Sequence, residues 1–166
     1  MTGPSLKDMD PATIVSYRHE FALTPQQVYE AFIQPQLLVG WFGPSQWQII
    51  PASLTLEPVT GGRLQFVMRH SLNPKVQAPM YLRFVGMVEP SLLEFQEAIP
   101  TAQGQPSANL LALRLELTES AALGSTGADP GTVLSLQQGP LPKQVHKQTI
   151  NSWRQSFQRL AQLYSA

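Results

Sequence analysis

The last stretch of the chain, Lys143 to Tyr164, constrains the fold more than any other. Ile150, Trp153, Phe157, Leu160, Ala161 and Tyr164 recur at spacings of three and four, and Val145 and Thr149 extend the stripe toward the N-terminus. That is the helical period, and Lys147, Asn151, Arg154, Gln155, Gln158, Arg159 and Gln162 fall between to form a polar face. A long helix with one aromatic side has to bury that side. Nearly everything before it reads as strand and turn, so the pattern predicts an α+β fold in which a curved antiparallel sheet wraps the closing helix. Whether the space between sheet and helix is filled or hollow decides what the chain can do.

The preceding segments supply that sheet. Residues Met1 to Pro11 are polar, carry two prolines and read as a flexible arm. Ala12 to Leu23 alternates, with Val15, Tyr17, His19, Phe21 and Leu23 on one side, which predicts a strand. Thr24-Pro25-Gln26-Gln27 then sets out a helix start: a capping Thr, a Pro at the first position and a reciprocal Gln. That helix runs to about Phe32, and a second short turn follows over Gln36 to Trp41. Strands are predicted at Trp47 to Pro58, Arg63 to Arg69, Tyr81 to Glu89, Leu92 to Ala98, Leu110 to Thr118 and Thr132 to Gln138. Thr60-Gly61-Gly62 gives a tight turn. His70 to Pro79, Pro100 to Asn109 and Ser120 to Pro130 read as loops, the last two flexible.

Composition excludes several function classes. The chain has 166 residues, 43% of them hydrophobic, which suits one domain from residue 12 onward with a real core. Eleven Lys plus Arg balance eleven Asp plus Glu, so no basic field favours nucleic acid or an anionic membrane. Only 13% of residues are charged, against about a quarter in ordinary globular chains, which leaves room for a homodimer. No Cys is present, so thiolate catalysis, disulfides and thiolate metal sites are out. The start has no apolar signal core and no apolar run approaches about 18 residues, so a cytoplasmic location is expected.

The motifs, taken together, resemble a known family. Phe21-Ala22-Leu23-Thr24-Pro25 leads into Val28-Tyr29-Glu30-Ala31-Phe32, similar to the passage from a first strand into V-W-x-A-hydrophobic. Leu37-Leu38 and Trp41-Phe42-Gly43-Pro44 match L-x-x-W-W/F-G-P. Glu57, Gly61-Gly62-Arg63 and Met68-Arg69 match D-x-R-x-G-G-R…M-R. Gly131-Thr132-Val133-Leu134 matches G-T-x-L, and Trp153 with Leu160 matches the closing helix. The chain resembles the helix-grip proteins of the START-like (SRPBCC) superfamily, and within it the bacterial homologues of the activator of the 90-kDa heat-shock protein's ATPase. Tyr29, Glu57, Val59 and Ser152 depart from the usual Trp, Asp, Arg and Gly. The resemblance implies a helix-grip domain with two short helices after the first strand and an apolar cavity between sheet and closing helix. Some members of the superfamily only bind a small hydrophobic molecule there; others are cyclases, aromatases or hydrolases.

The chemistry-bearing residues are sparse. His19, His70 and His146 have no metal-ligand spacing, and neither a metal nor a cofactor is implied. His70 and His146 read as surface residues, whereas His19 reads as a hydrogen-bonded core histidine with a pocket role as the alternative. Glu97 shares a strand side with Leu93 and Phe95. If that side faces inward it is a buried acid, but a strand that frays before Pro100 leaves it in water, and the second reading is favoured. Trp41 and Phe42 are placed at the cavity mouth, with Phe66, Met68, Phe84, Phe95, Trp153 and Phe157 facing inward and His19, Tyr81 or Glu97 as its few polar groups. Together these predict a binding module for a small hydrophobic or aromatic molecule. A cyclase or hydrolase using Glu97, His19 or Tyr81 is the alternative, and a chaperone-associated role rests on the family resemblance alone.

Overall fold

Thr24 turns the chain out of its first strand as the sequence predicts. Its side chain accepts from Gln27 N, Gln27 Oε1 accepts from Thr24 N, and Pro25 opens the helix. The computed structural model describes residues 3–124 and 129–165. Its elements are β1 (Val15–Phe21), α1 (Pro25–Ile33), α2 (Pro35–Leu38), β2 (Trp47–Ile49), β3 (Thr55–Leu56), β4 (Arg63–His70), β5 (Gln77–Val88), β6 (Leu92–Pro100), β7 (Pro106–Ser120), β8 (Gly131–Gly139) and α3 (His146–Ser165). The strands form one antiparallel sheet in the order β1-β8-β7-β6-β5-β4-β2, with β3 paired to β4. The curled sheet grips α3, the helix-grip architecture that the resemblance implied.

Alternation decides which side of each strand is buried. Leu64, Phe66 and Met68 on β4, Leu82 and Phe84 on β5, Leu93 and Phe95 on β6, and Leu111, Leu113, Leu115 and Leu117 on β7 all point inward and are buried. Arg83, Glu94 and Arg114 occupy the outer face, where the Arg114 guanidinium bridges Glu94 at 2.8 Å and Glu116 at 2.7 Å. Register shifts on β5 and, between Ala98 and Pro100, on β6 interrupt the pattern. The β5–β6 register slips between Phe84 and Gly86, leaving Val85 out in solvent and setting Met87 opposite Leu93.

Several boundaries differ from the sequence reading. β5 starts at Gln77, so Pro79 lies within a strand; it sits beyond Tyr81, where pairing with β6 begins, and its missing N–H breaks no bond on that side. β7 starts at Pro106, which shrinks the expected loop to a turn closed by Thr101 N donating to Gln105 O. Trp47 to Pro58 is two short strands separated by a 3-10 turn over Pro51–Ser53. Of the loop expected at Ser120 to Pro130, Ser120 belongs to β7 and residues 125–128 lie outside the described residues.

The N-terminal arm, from Gly3 onward, lies against the sheet. Gly3 lies so close to Gln96 on the outer face that a Cβ would fall 1.7 Å from its amide nitrogen. Leu6–Asp8 forms a 3-10 turn, Met9 Sδ reaches Gly139, and Leu141 N donates to Thr13 O. Between β3 and β4, Gly61 adopts a positive φ of 87°, and a Cβ on Gly62 would meet Glu57 O at 2.0 Å, so the paired glycines answer to backbone geometry. Glu57 accepts from Arg63 N and from its guanidinium, tying the turn shut.

Candidate functional site

The interior under the sheet is closed at one end and open at the other. The closed end is built from rings. Trp41 meets Phe32 edge-on at 4.9 Å and donates its indole N–H to Ala31 O, Phe84 packs on Phe95 at 4.8 Å, and Phe42 stands edge-on to Phe66 at 5.1 Å. Phe157 from α3 reaches Phe21 and Trp41. Trp41, Phe66, Phe84, Phe95 and Phe157 were expected to line an open cavity, yet each is at most 2% exposed and none borders the cleft. The cause is α1 and α2, whose Val28, Tyr29, Ala31, Phe32 and Leu38 bury themselves in the same space. Sequence reasoning set the sheet against α3 alone and left those side chains out of the count.

At the other end a cleft of about 420 Å³ remains between the inner faces of β4 to β8 and the N-terminal half of α3. Phe42, Met68, Glu97 and Trp153 line it, together with Met80, Leu82, Leu113, Gln138, Thr149, Ser152 and Ser156. A larger hollow, about 860 Å³, lies on the outer face beneath the N-terminal arm and is bordered by Arg83, Glu94, Gln96 and Arg114. Charged Arg83, Glu94 and Arg114 stand among its walls; the inner cleft has one carboxylate in a more apolar lining with a few convergent polar groups.

Those polar groups form a relay. The Trp153 indole N–H donates to Gln138 Oε1 at 2.9 Å, and Gln138 Nε2 donates to Glu97 Oε1 at 2.9 Å. An indole can only donate, so the Gln138 amide has one allowed orientation and must present its N–H to Glu97. Gln138 and Trp153 are 6% and 9% exposed. β6 continues through Pro100, with Glu97 paired between Leu82 and Leu111, so the strand does not fray and the favoured reading of Glu97 as a solvated residue is overturned. Glu97 borders the cleft, and its carboxyl group is largely, though not wholly, surrounded by protein atoms. Burial pushes its pKa up from the ordinary 4.5, and the Gln138 hydrogen bond opposes that rise.

The raised pKa has a stability consequence with a definite sign. Between 4.5 and its folded-state pKa, Glu97 binds more protons in the folded chain than in the unfolded one, so its contribution is fully present below 4.5 and is lost as pH rises through the folded value. Glu97→Gln keeps the Oε1 acceptor and removes the charge. Thermal melts should show the variant more stable than wild type at neutral pH, by about 2–4 °C for each 1 kcal/mol relieved. The advantage should vanish near pH 4, where both side chains are neutral; an advantage that is unchanged at low pH would contradict the assignment.

The other candidates lie elsewhere. His19 sits under α3, its Nδ1 2.6 Å from the Tyr17 hydroxyl and its ring 5.4 Å from Phe157, and burial lowers its pKa with Arg154 adding to the effect. It is half-buried and hydrogen-bonded, outside the cleft lining. Tyr81 points to the outer face, since neighbouring Leu82 points in, and donates to Gly104 O. His70, at the end of β4, accepts from Leu72 N through Nδ1, and His146 reaches Leu141 O. Gln138, Ser152 and Ser156 were missed. The first was readable, because alternation with Leu134 and Leu136 turns Gln138 inward. The serines sit beside Trp153 at helical spacing, where they pass for the polar flank of the stripe.

One wall of the cleft is a loop fixed to α3. Arg159 Nη1 donates to Gly43 O at 2.8 Å and Trp47 O at 2.7 Å, and Gln155 Oε1 accepts from Ser45 N. Gly43, at φ 112°, rests against Met68 there. This is the Trp-Phe-Gly-Pro motif, which sets Trp41 in the packed end and Phe42 at the boundary between that end and the cleft.

The family model described as Activator of Hsp90 ATPase homolog 1-like protein matches residues 22–165. The chain belongs to this family. Its fold recurs in a protein from Chromobacterium violaceum (TM-score 0.75, 18% identity, 91% of this chain and 96% of that one). It recurs as well in a protein from Nitrosomonas europaea (TM-score 0.72, 18% identity, 95% and 97%). The AHSA1 protein from Silicibacter pomeroyi gives a TM-score of 0.75 at 15% identity over 92% and 97%. No curated protein matches the chain significantly. At such identities the likeness to these structures is one of fold. No helix among the described residues is long and apolar enough to cross a membrane.

Proposed function

We propose that this member of the family is a binding module that holds a small hydrophobic molecule in the cleft between β4–β8 and α3, without catalysis. One observation carries the reading: the domain packs rings tightly at one end and leaves about 420 Å³ at the other, walled by Phe42, Met68, Met80, Leu82 and Trp153. Leaving such a space unfilled forgoes stability that larger side chains would supply. The polar groups support binding over turnover. Acid–base chemistry needs at least two converging titratable groups, and Glu97 is the one ionisable side chain among the described residues that line the cleft. His19 and Tyr81, the partners a cyclase or hydrolase would have drawn on, are placed away from it.

Ser152 tests the reading, because it borders the cleft from α3 with little structural work of its own. Ser152→Trp should fill the space. An apolar fluorescent probe that brightens with wild type, and is displaced by planar hydrophobic compounds, should lose at least about tenfold in affinity, or about 1.4 kcal/mol, with the melt nearly unchanged. Equal probe binding by wild type and variant would place the probe elsewhere and refute the cleft as the site.

A further inference from the structure

The walls and floor of the cleft differ in what they ask of an occupant. The walls include the Phe42 and Trp153 rings, edge to face at 5.9 Å, and faces of this kind attract a cation. At the floor, the Trp153–Gln138 relay occupies Glu97 Oε1 and leaves Oε2 with no hydrogen-bond partner among the described residues. Among the described residues no Lys or Arg lines the cleft, so none of them serves Glu97 as a counter-ion there. Its neighbours across the sheet, Leu82 and Leu111, are apolar. An acid placed this way repels an anion, gives a neutral apolar molecule little, and meets a protonated nitrogen with a charge-assisted hydrogen bond, roughly twice the strength of a neutral one. The same nitrogen would stand beside the aromatic faces.

We infer that the occupant is an apolar, planar molecule bearing a cationic nitrogen, an amine or amidine, which pairs with Glu97 Oε2 while its rings lie against Trp153 and Phe42. The inference rests on the cleft being a ligand site and adds the chemical class of the ligand. Ser152, Gln148 and Thr149 at the mouth supply neutral hydrogen bonds for whatever polar group projects outward.

Three probes of one shape separate the cases: naphthylmethylamine, naphthylmethanol and naphthoic acid, titrated by calorimetry into the full chain. The amine should bind about tenfold more tightly than the alcohol, and the acid more weakly than either. Glu97→Gln should remove the amine's advantage and leave the alcohol's affinity within about twofold. Glu97→Met, apolar and similar in length, serves the same purpose if the amide variant folds poorly. Equal affinity of amine and alcohol for wild type overturns the inference while leaving an apolar binding site in place. So does an amine preference that survives both substitutions. If none of the three binds, the cleft is not a ligand site and both readings fall.

Discussion

Trp153→Ala is expected to cost about 3–5 kcal/mol of stability, the range for deleting a buried aromatic. Trp153 stacks on Phe157 at 5.4 Å, stands edge-on to Phe42 at 5.9 Å and holds Gln138 through its N–H. It is therefore the point where α3, the Trp-Phe-Gly-Pro loop and β8 meet. Truncation loses the ring contacts, enlarges the cleft into the core and leaves Gln138 Oε1 unpaired. Trp153→Phe separates these effects by keeping most of the ring and removing only the donor, which should cost about 1–3 kcal/mol. Urea melts check both. A loss below about 1 kcal/mol for the alanine variant would mean that α3 does not close the core.

Phe84→Asp should abolish cooperative folding. Phe84 has no exposed surface and sits against Phe95 in the packed end of the interior. The substitution removes a core aromatic, at about 3–5 kcal/mol, and strands a carboxylate without a counter-ion, at several more. That sum is comparable to the whole stability of a domain, about 5–15 kcal/mol. Had Phe84 lined an open cavity, as the strand alternation alone suggested, the same change would have weakened ligand binding in a folded protein. Circular dichroism and a denaturant melt distinguish the outcomes. A variant that melts cooperatively within about 2 kcal/mol of wild type would show that this end is hollow after all.

The contrast between Phe84 and Trp153 shows how far the sequence could be read. Period two placed Phe66, Phe84 and Phe95 on the inner face, and period three to four placed Trp153 and Phe157 opposite them; every one is buried. Thr24, Pro25 and Gln27 announced their capping box because its chemistry is local. What alternation could not supply was depth along the barrel axis. Phe84 and Glu97 share an inner face, yet the first is sealed among the rings of the packed end and the second borders the cleft. That depends on where two short helices settle after a crossover, a tertiary fact with no period of its own. Glu97 shows a second limit. Its fate turned on whether β6 ended before or after Pro100, and β6 is carried onward by a hairpin to a β7 that starts at Pro106, inside a stretch that its Gln, Pro, Ser and Gly content made read as loop. Gln138 was legible from its strand, although its role appears only once Trp153 and Glu97 are seen on either side of it.

The two ends of the interior differ, one packed and one left as a cleft, which the proposed reading assigns to a ligand. The chain has three tryptophans, and two of them report on that difference directly. The Trp153 indole N–H bonds Gln138 at the cleft, whereas that of Trp41 bonds Ala31 O inside the packed end. Nitrogen-15 NMR of the indole signals during titration with naphthylmethylamine reads both in one experiment. The Trp153 signal should move with ligand and saturate, while the Trp41 signal stays in place. A saturable shift at Trp41 with none at Trp153 would put the binding site at the wrong end and contradict the account.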